Sequence, residues 1–228
     1  MPGAADDILH TLSVCGLESD EQPLLYQSQR TEAYEAAFEQ IRSQNLVYPC
    51  SCSRRDTAAG PYAGTCRQGS HGPAPWAWRM RMPDAGTCCF TDGFLGPQAF
   101  AWASLGDPVV RRRDELHAYQ LAVVVDDMAQ GITDIVRGAD LLDATAWQLE
   151  IRHRLGGAAV RHAHLPLVLG PDGRKLSKSA SAEAISRSPP GAALQAALVA
   201  LHQSPPEALH TLPIPRILDW ALENFGKR

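Results

Sequence analysis

The clearest candidate for chemistry is Gly173-Arg174-Lys175-Leu176-Ser177-Lys178-Ser179, a segment opened by Pro171-Asp172. It sets two ammonium groups three residues apart and flanks the second with serine hydroxyls. Lysines supply mobile point charges, and hydroxyls and backbone N–H groups can complete a shell around a polyphosphate. The competing reading is a solvated Lys/Ser-rich loop. A second candidate is Cys50-Ser51-Cys52 with Cys66, three thiols within seventeen residues. They lie in a stretch from Tyr48 to Gly72 that is rich in Cys, Gly, Ser and Pro and has no apolar core of its own. Structural zinc takes four ligands and can supply the folding energy such a loop lacks. Ordinary zinc chemistry nominates His71 or a cysteine of the Cys88–Cys89 pair as the fourth donor. Cys15, Cys88 and Cys89 otherwise read as packing residues.

These groups need a scaffold. Tyr34, Ala37, Phe38 and Ile41 recur at i, i+3, i+4 and i+7, so Thr31 to Gln44 reads as an amphipathic helix. Trp76 to Met82 alternates as a half-buried strand does, and short strands are expected at Thr87–Phe90 and Phe100–Trp102, forming a small antiparallel insert. Leu121-Ala122-Val123-Val124-Val125 is a continuous apolar run ending at Asp126-Asp127, and reads as a strand buried on both faces. Asp140 to Leu155 reads as a helix stopped by Gly156-Gly157, and Leu165 to Leu169 as a second buried strand feeding the lysine loop. Strand, helix, strand and loop make a βαβ unit of a doubly wound parallel sheet, with the loop at the ligand-binding edge. Pro189-Pro190-Gly191 opens an Ala-rich helix, and a final helix carries Ile217, Leu218, Ala221, Leu222 and Phe225.

The chain has 228 residues, 45% of them hydrophobic and 20% charged, and a formal net charge of −4. That is the composition of an ordinary globular protein, and its overall charge does not favour polyanions. A polyanion site would have to be local; Arg111-Arg112-Arg113 is one candidate, with a solvated strand end as the alternative. The N-terminal residues resemble no signal peptide and the longest apolar run is too short for a membrane span. A cytoplasmic protein with no membrane partner is expected, and a monomer.

Taken in order, several segments resemble the glutamyl-tRNA synthetase family of class I aminoacyl-tRNA synthetases, and within it the short branch of glutamyl-Q tRNA(Asp) synthetases. They are Tyr26-Gln27-Ser28-Gln29-Arg30 with Tyr34, Tyr48-Pro49-Cys50-Ser51-Cys52-Ser53-Arg54, Tyr62-Ala63-Gly64-Thr65-Cys66, Tyr119 to Asp127, Asp134 to Leu142, and the lysine loop as a K-[ML]-S-K-S motif. The Cys-x-Cys…Tyr-x3-Cys pattern is the most specific of them. The resemblance implies a Rossmann-like α/β catalytic domain with a zinc-stapled α+β insert. It divides the chain into residues 1–47 of the catalytic domain, a zinc-binding insert at 48–110, the second catalytic half at 111–180, and a helical segment at 181–228. It implies ATP, used with magnesium, and glutamate as substrates, and the queuosine base of tRNA(Asp) as acceptor. It nominates Tyr62 beside Cys50, Cys52 and Cys66 as metal ligand, Lys178 and Lys175 for ATP, with Lys178 catalytic, and Tyr119 and Arg137 for glutamate. Asp126 and Asp127 are left between a ligand contact and a turn cap.

One departure accompanies the resemblance. The family's H-I-G-H motif and its first glutamate contacts belong to a βα unit ahead of the position matched by Met1, so an N-terminal truncation is expected and the activity of these 228 residues is doubtful. About fifty residues follow Lys178, too few for an anticodon-binding domain of typical size. Two alternatives stand beside the short-branch reading: a fragment of a glutamyl-tRNA synthetase, and a non-catalytic zinc-containing RNA-binding remnant.

Overall fold

The computed structural model describes residues 3–20, 23–53, 55–57, 60–70, 72–170, 173, 175, 185 and 188–225. They form two compact units, Leu25–Leu165 and Met1–Leu24 with Pro166–Arg228. Helix α1 (Ala4–Val14) is followed by α2 (Thr31–Ser43), strands β1 (Val47–Cys50), β2 (Ala77–Met80), β3 (Thr87–Asp92) and β4 (Gly96–Ala101), and a helical turn α3 (Trp102–Leu105). Then come β5 (Val109–Arg111), α4 (Tyr119–Ala129), β6 (Asp134–Gly138), α5 (Leu142–Arg154), β7 (Arg161–Leu165), α6 (Pro190–Ala200) and α7 (Ile214–Asn224).

The unit Leu25–Leu165 holds two sheets. One is antiparallel in the order β1-β2-β5, and the other runs β4-β3-β7-β6. In the second sheet β3 and β4 form an antiparallel hairpin, while β3–β7 and β6–β7 pair in parallel. The βαβ unit is therefore β6-α5-β7. Helix α2 forms where its periodicity requires, burying Tyr34, Ala37, Phe38 and Ile41. Phe38 and Ile41 join Met80, Met82, Val110, Leu121, Val124 and Ile151 in one core.

Two sequence expectations are overturned. Residues 121–125 are not a strand but the centre of α4. An unbroken apolar run suits a buried strand or a buried helix alike, and β-branched valines lean toward the strand. Packing between α2 and α5 decides for the helix. Its buried positions are Leu121, Ala122, Val124 and Asp126, and the buried carboxylate is held by Arg30 Nε at 2.8 Å, Tyr34 Oη at 2.7 Å and Gln27 Nε2 at 3.2 Å. Asp126 is thus a tie between α4 and the start of α2.

The second overturned expectation is the strand at 165–169. The strand is β7, ending at Leu165; Val168 and Leu169 are more than half exposed. Pro166 cannot donate to a ladder, which ends the pairing there. The preceding Arg-His-Ala-His-Leu looks too polar for a buried strand, yet His162 and His164 are buried. Smaller differences are that Trp102 begins α3 rather than ending a strand, and that Cys89 is exposed.

In the other unit α6 and α7 form as the sequence suggests, around Leu198, Leu209 and Ile217. Of the apolar residues read into the last helix, Leu222 is exposed in α7 and Phe225 lies exposed just past its end. No helix among the described residues is long and apolar enough to cross a membrane.

Candidate functional site

Strand β1 delivers Cys50 at its buried end, and the following loop brings Cys52, Tyr62 and Cys66 back to it. The three sulfurs lie within 4.8 Å of one another. Cys52 Sγ is 3.6 Å from Cys66 Sγ, and the Tyr62 hydroxyl is 3.4 Å from Cys50 Sγ and 3.8 Å from Cys52 Sγ. A tetrahedral zinc ion with ordinary bond lengths requires S···S edges of about 3.8 Å and S···O edges of about 3.5 Å. Those three edges stand close to that spacing and the remaining sulfur pairs lie within 4.8 Å, so the donors' chemistry and grouping fit the metal. Cys88 and Cys89 lie in β3, apart from the group, and His71 is outside the described residues.

Burial pushes Cys52 up to about 11 and also pushes the Tyr62 phenol up. Burial acts on Cys66 in the same direction, but hydrogen bonding involving Tyr62 and the Ser51 backbone outweighs it and brings that thiol down to about 6. The loop is docked by Gly106, which forms a parallel bridge with Tyr62. Gly106 has φ +66°, and a Cβ there would lie 2.6 Å from the backbone N and O of Tyr62, so only glycine permits the approach. A buried Asp107 carboxylate fastens the same region. It takes hydrogen bonds from Tyr48 Oη at 2.5 Å, Arg67 Nε at 2.5 Å and the Met82 amide at 2.8 Å.

The expected glutamate contacts come from α4 and β6. Tyr119 is the first residue of α4 and is half exposed. Arg137, in β6, is held by neutral acceptors: Nε donates to His164 Nε2 at 3.1 Å, Nη1 to Gln148 Oε1 at 2.6 Å, and Nη2 to Thr145 Oγ1 at 2.5 Å and Leu141 O at 3.3 Å. Burial lowers its pKa, and Tyr119 is the largest influence opposing that shift. Among the described residues no carboxylate lies within ion-pair distance of this guanidinium.

Behind Arg137 stands a pair that sequence reasoning missed. His164 is fully buried and its Nδ1 is 2.6 Å from Asp92 Oδ2. Because Arg137 points an N–H at Nε2, the ring proton belongs on Nδ1, donated to Asp92. Burial opposes ionisation of Asp92, but His164 and the amides of Leu95, His164 and Phe94 hold its carboxyl well below the usual range. The available signal was two histidines two residues apart, hence on one face of a strand.

Tyr119 and Tyr62 line one cavity of about 420 Å³, together with Arg79, Gln120 and Trp147. Asp127, beside Arg152 and His162 at a different, small cavity, is pushed up by burial. The arginine triplet is tied to protein: Arg111 to Glu35, Arg112 to Asp114, and Arg113 to the carbonyls of Ser51 and Cys52. In the other unit, Gly173 sits in a tight turn with φ +73°, its amide bonded to Gly170 O at 2.9 Å, and exposed Lys175 bridges Leu169. Lys178 lies outside the described residues.

The catalytic-domain family of class I tRNA synthetases (E and Q) matches residues 62–188. The chain is 45% identical over 236 residues to the glutamyl-Q tRNA(Asp) synthetase of Aromatoleum aromaticum, covering 99% of this chain and 74% of that protein. It is 47% identical over 212 residues to that of Ralstonia nicotianae, covering 85% and 67%. Among solved structures, the glutamate–tRNA synthetase of Elizabethkingia anophelis superposes with a TM-score of 0.67 at 25% identity, covering 78% of this chain. The chain spans 43% of the length of that solved enzyme.

Proposed function

The chain belongs to the glutamyl-Q tRNA(Asp) synthetase family of class I tRNA synthetases, and on that premise we propose that it activates glutamate with ATP and transfers it to the queuosine base of tRNA(Asp). In the first step the glutamate α-carboxylate attacks the α-phosphorus and pyrophosphate leaves. In the second, a nucleophile of the modified base attacks the activated carbonyl and AMP leaves. Negative charge grows on the phosphoryl oxygens in the first step, so the protein's work is positioning and cationic stabilisation.

Arg137 binds a carboxylate of glutamate in this reading, and Tyr119, whose side chain acts on Arg137, helps orient the substrate. The observation that carries the proposal is the half-buried guanidinium of Arg137, held rigid by neutral acceptors and lacking a described carboxylate partner. A positioned cation of that kind suits an anionic ligand. Lys178 contacts the ATP phosphates as their negative charge develops, with Lys175 assisting. Cys50, Cys52, Cys66 and Tyr62 would hold one zinc ion, which when bound supplies folding energy to the loop rather than reactivity.

The test is glutamate-dependent exchange of pyrophosphate into ATP, run on this chain and on the coding sequence extended upstream. Arg137→Ala should lower kcat/KM for glutamate by about 2–4 kcal/mol, roughly thirtyfold to a thousandfold, while leaving KM for ATP near its original value. Lys178→Ala should cost about a hundredfold or more in exchange rate. An active enzyme indifferent to both substitutions would refute these assignments. Failure of every form to activate glutamate would refute the function.

A further inference from the structure

Three thiolates and a phenolate around a divalent ion leave a net charge of −2 on donors of which Cys50 and Cys66 are buried and Cys52 and Tyr62 partly so. Such an excess needs a counter-charge, because taking an unbalanced ion out of water is costly. Arg79, in β2, is in place to supply it. Its Nε donates to Cys50 Sγ at 3.3 Å, and its guanidinium carbon lies 3.9 Å from the centroid of the Tyr62 ring. Its Nη1 donates to Asp107 O at 2.6 Å, which fixes the plane of the fork. Among the described residues no carboxylate pairs with Arg79, so its positive charge is directed at a cysteine sulfur, a ring face and a carbonyl. The pairing of β2 with its neighbours explains the placement: Tyr48 of β1 and Val109 of β5 flank Arg79, which is partly buried between them.

We propose that Arg79 is the positioning residue and counter-charge of the metal cluster, holding the Cys50 sulfur by an N–H···S bond and covering the Tyr62 ring so that the anionic donor set binds a divalent ion tightly. This rests on the reading of Cys50, Cys52, Tyr62 and Cys66 as a metal site. A hydrogen bond to a ligating sulfur orients the ligand and stabilises its charge, and loss of such a partner typically weakens metal binding by about ten- to a hundredfold. The planar fork matters as well as the charge, since an ammonium cannot both cover a ring and span two acceptors.

The experiment measures zinc and cobalt(II) binding to the purified chain by competition with a chelating indicator, with circular dichroism as a check on folding. Wild type should bind one equivalent, and Cys50→Ser should abolish tight binding. Arg79→Gln should weaken zinc about ten- to a hundredfold, with Arg79→Lys in between. The cobalt form supplies a readout that loose packing alone would not move. Losing the N–H···S bond raises the energy of the sulfur lone pairs, so the sulfur-to-cobalt charge-transfer band should shift to longer wavelength in Arg79→Gln. If Arg79→Gln does not fold, Arg79→Lys decides by the same two measurements. Affinity within threefold of wild type and an unmoved band, with Cys50→Ser inactive in binding, would overturn the role of Arg79 alone. A wild-type chain that binds neither metal would overturn the metal site and this inference with it.

Discussion

Replacing one oxygen of Asp92 by an amide nitrogen should propagate to Arg137 through a forced change of tautomer. Asp92 Oδ1 accepts from the amides of Phe94, Leu95 and His164, each at 3.0 Å, and Oδ2 accepts from His164 Nδ1 at 2.6 Å. In Asp92→Asn, one of those two positions becomes an NH2 donor. If it faces His164, the ring proton must move to Nε2, where it meets the Arg137 Nε–H at 3.1 Å, donor against donor. If the amide flips, the NH2 faces three backbone N–H groups instead. Either way a buried donor loses its acceptor, a cost of about 1–3 kcal/mol, and a charge-assisted bond is lost besides. We expect a destabilisation of about 2–4 kcal/mol. In urea unfolding followed by tryptophan fluorescence, with a slope of roughly 2 kcal/mol per molar, the midpoint should fall by about 1–2 M. The nitrogen chemical shifts of His164 should report a protonated Nδ1 in the wild type and a changed tautomer in the variant. A midpoint within about 0.3 M of wild type, or a wild-type ring protonated on Nε2, would refute the chain of donors from Asp92 to Arg137.

Two further outcomes follow from the geometry. Gly106→Ala puts a Cβ 2.6 Å from the Tyr62 backbone at φ +66°, and should destabilise the docked metal loop by about 2–4 kcal/mol. A thermal midpoint and a proteolysis rate in the loop equal to those of wild type would contradict it. His162 is buried, and burial first, with the nearby Arg137 adding to it, lowers its pKa from 6.5 to about 4. Its folded pKa lies below the unfolded value, so the associated stability is full above pH 6.5 and is lost as pH falls toward 4, by up to about 3 kcal/mol. Subtracting the stability–pH curve of His162→Gln from that of wild type should isolate this slope; parallel curves between pH 4 and 6.5 would dispose of it.

The fold was legible in the sequence where the evidence was local. Helix α2 follows from four apolar residues at helical spacing, and α5 from its own periodicity and the glycine stop. The cysteine cluster could be read because three thiols crowd a segment with little else to hold it. Beyond local signals the reading failed in a consistent way. Leu121 to Val125 carries no periodicity, so its β-branched composition pointed to a strand; the contacts of α2 and α5 and the burial of Asp126 made it a helix. Arg161 to Leu165 is too polar to read as interior from composition, because the partner that satisfies buried His164, Asp92, lies 72 residues away in sequence. Helix α1 buries none of its residues, and its pattern, Ala5, Ile8, Leu9 and Leu12 at helical spacing, went unread beside the stronger signals.

The same division holds at the candidate site. Residue types and short spacings alone singled out Cys50, Cys52 and Cys66 and the lysine loop, since chelation and phosphate binding demand particular groups close together on the chain. Only the tertiary structure brings the Tyr62 hydroxyl to the cysteines, sets Arg79 against Cys50, and stands Arg137 on His164 and Asp92. Those contacts join segments up to 72 residues apart. They depend on which strands pair and in what register, and strand pairing is a property of the whole packed chain rather than of any stretch within it.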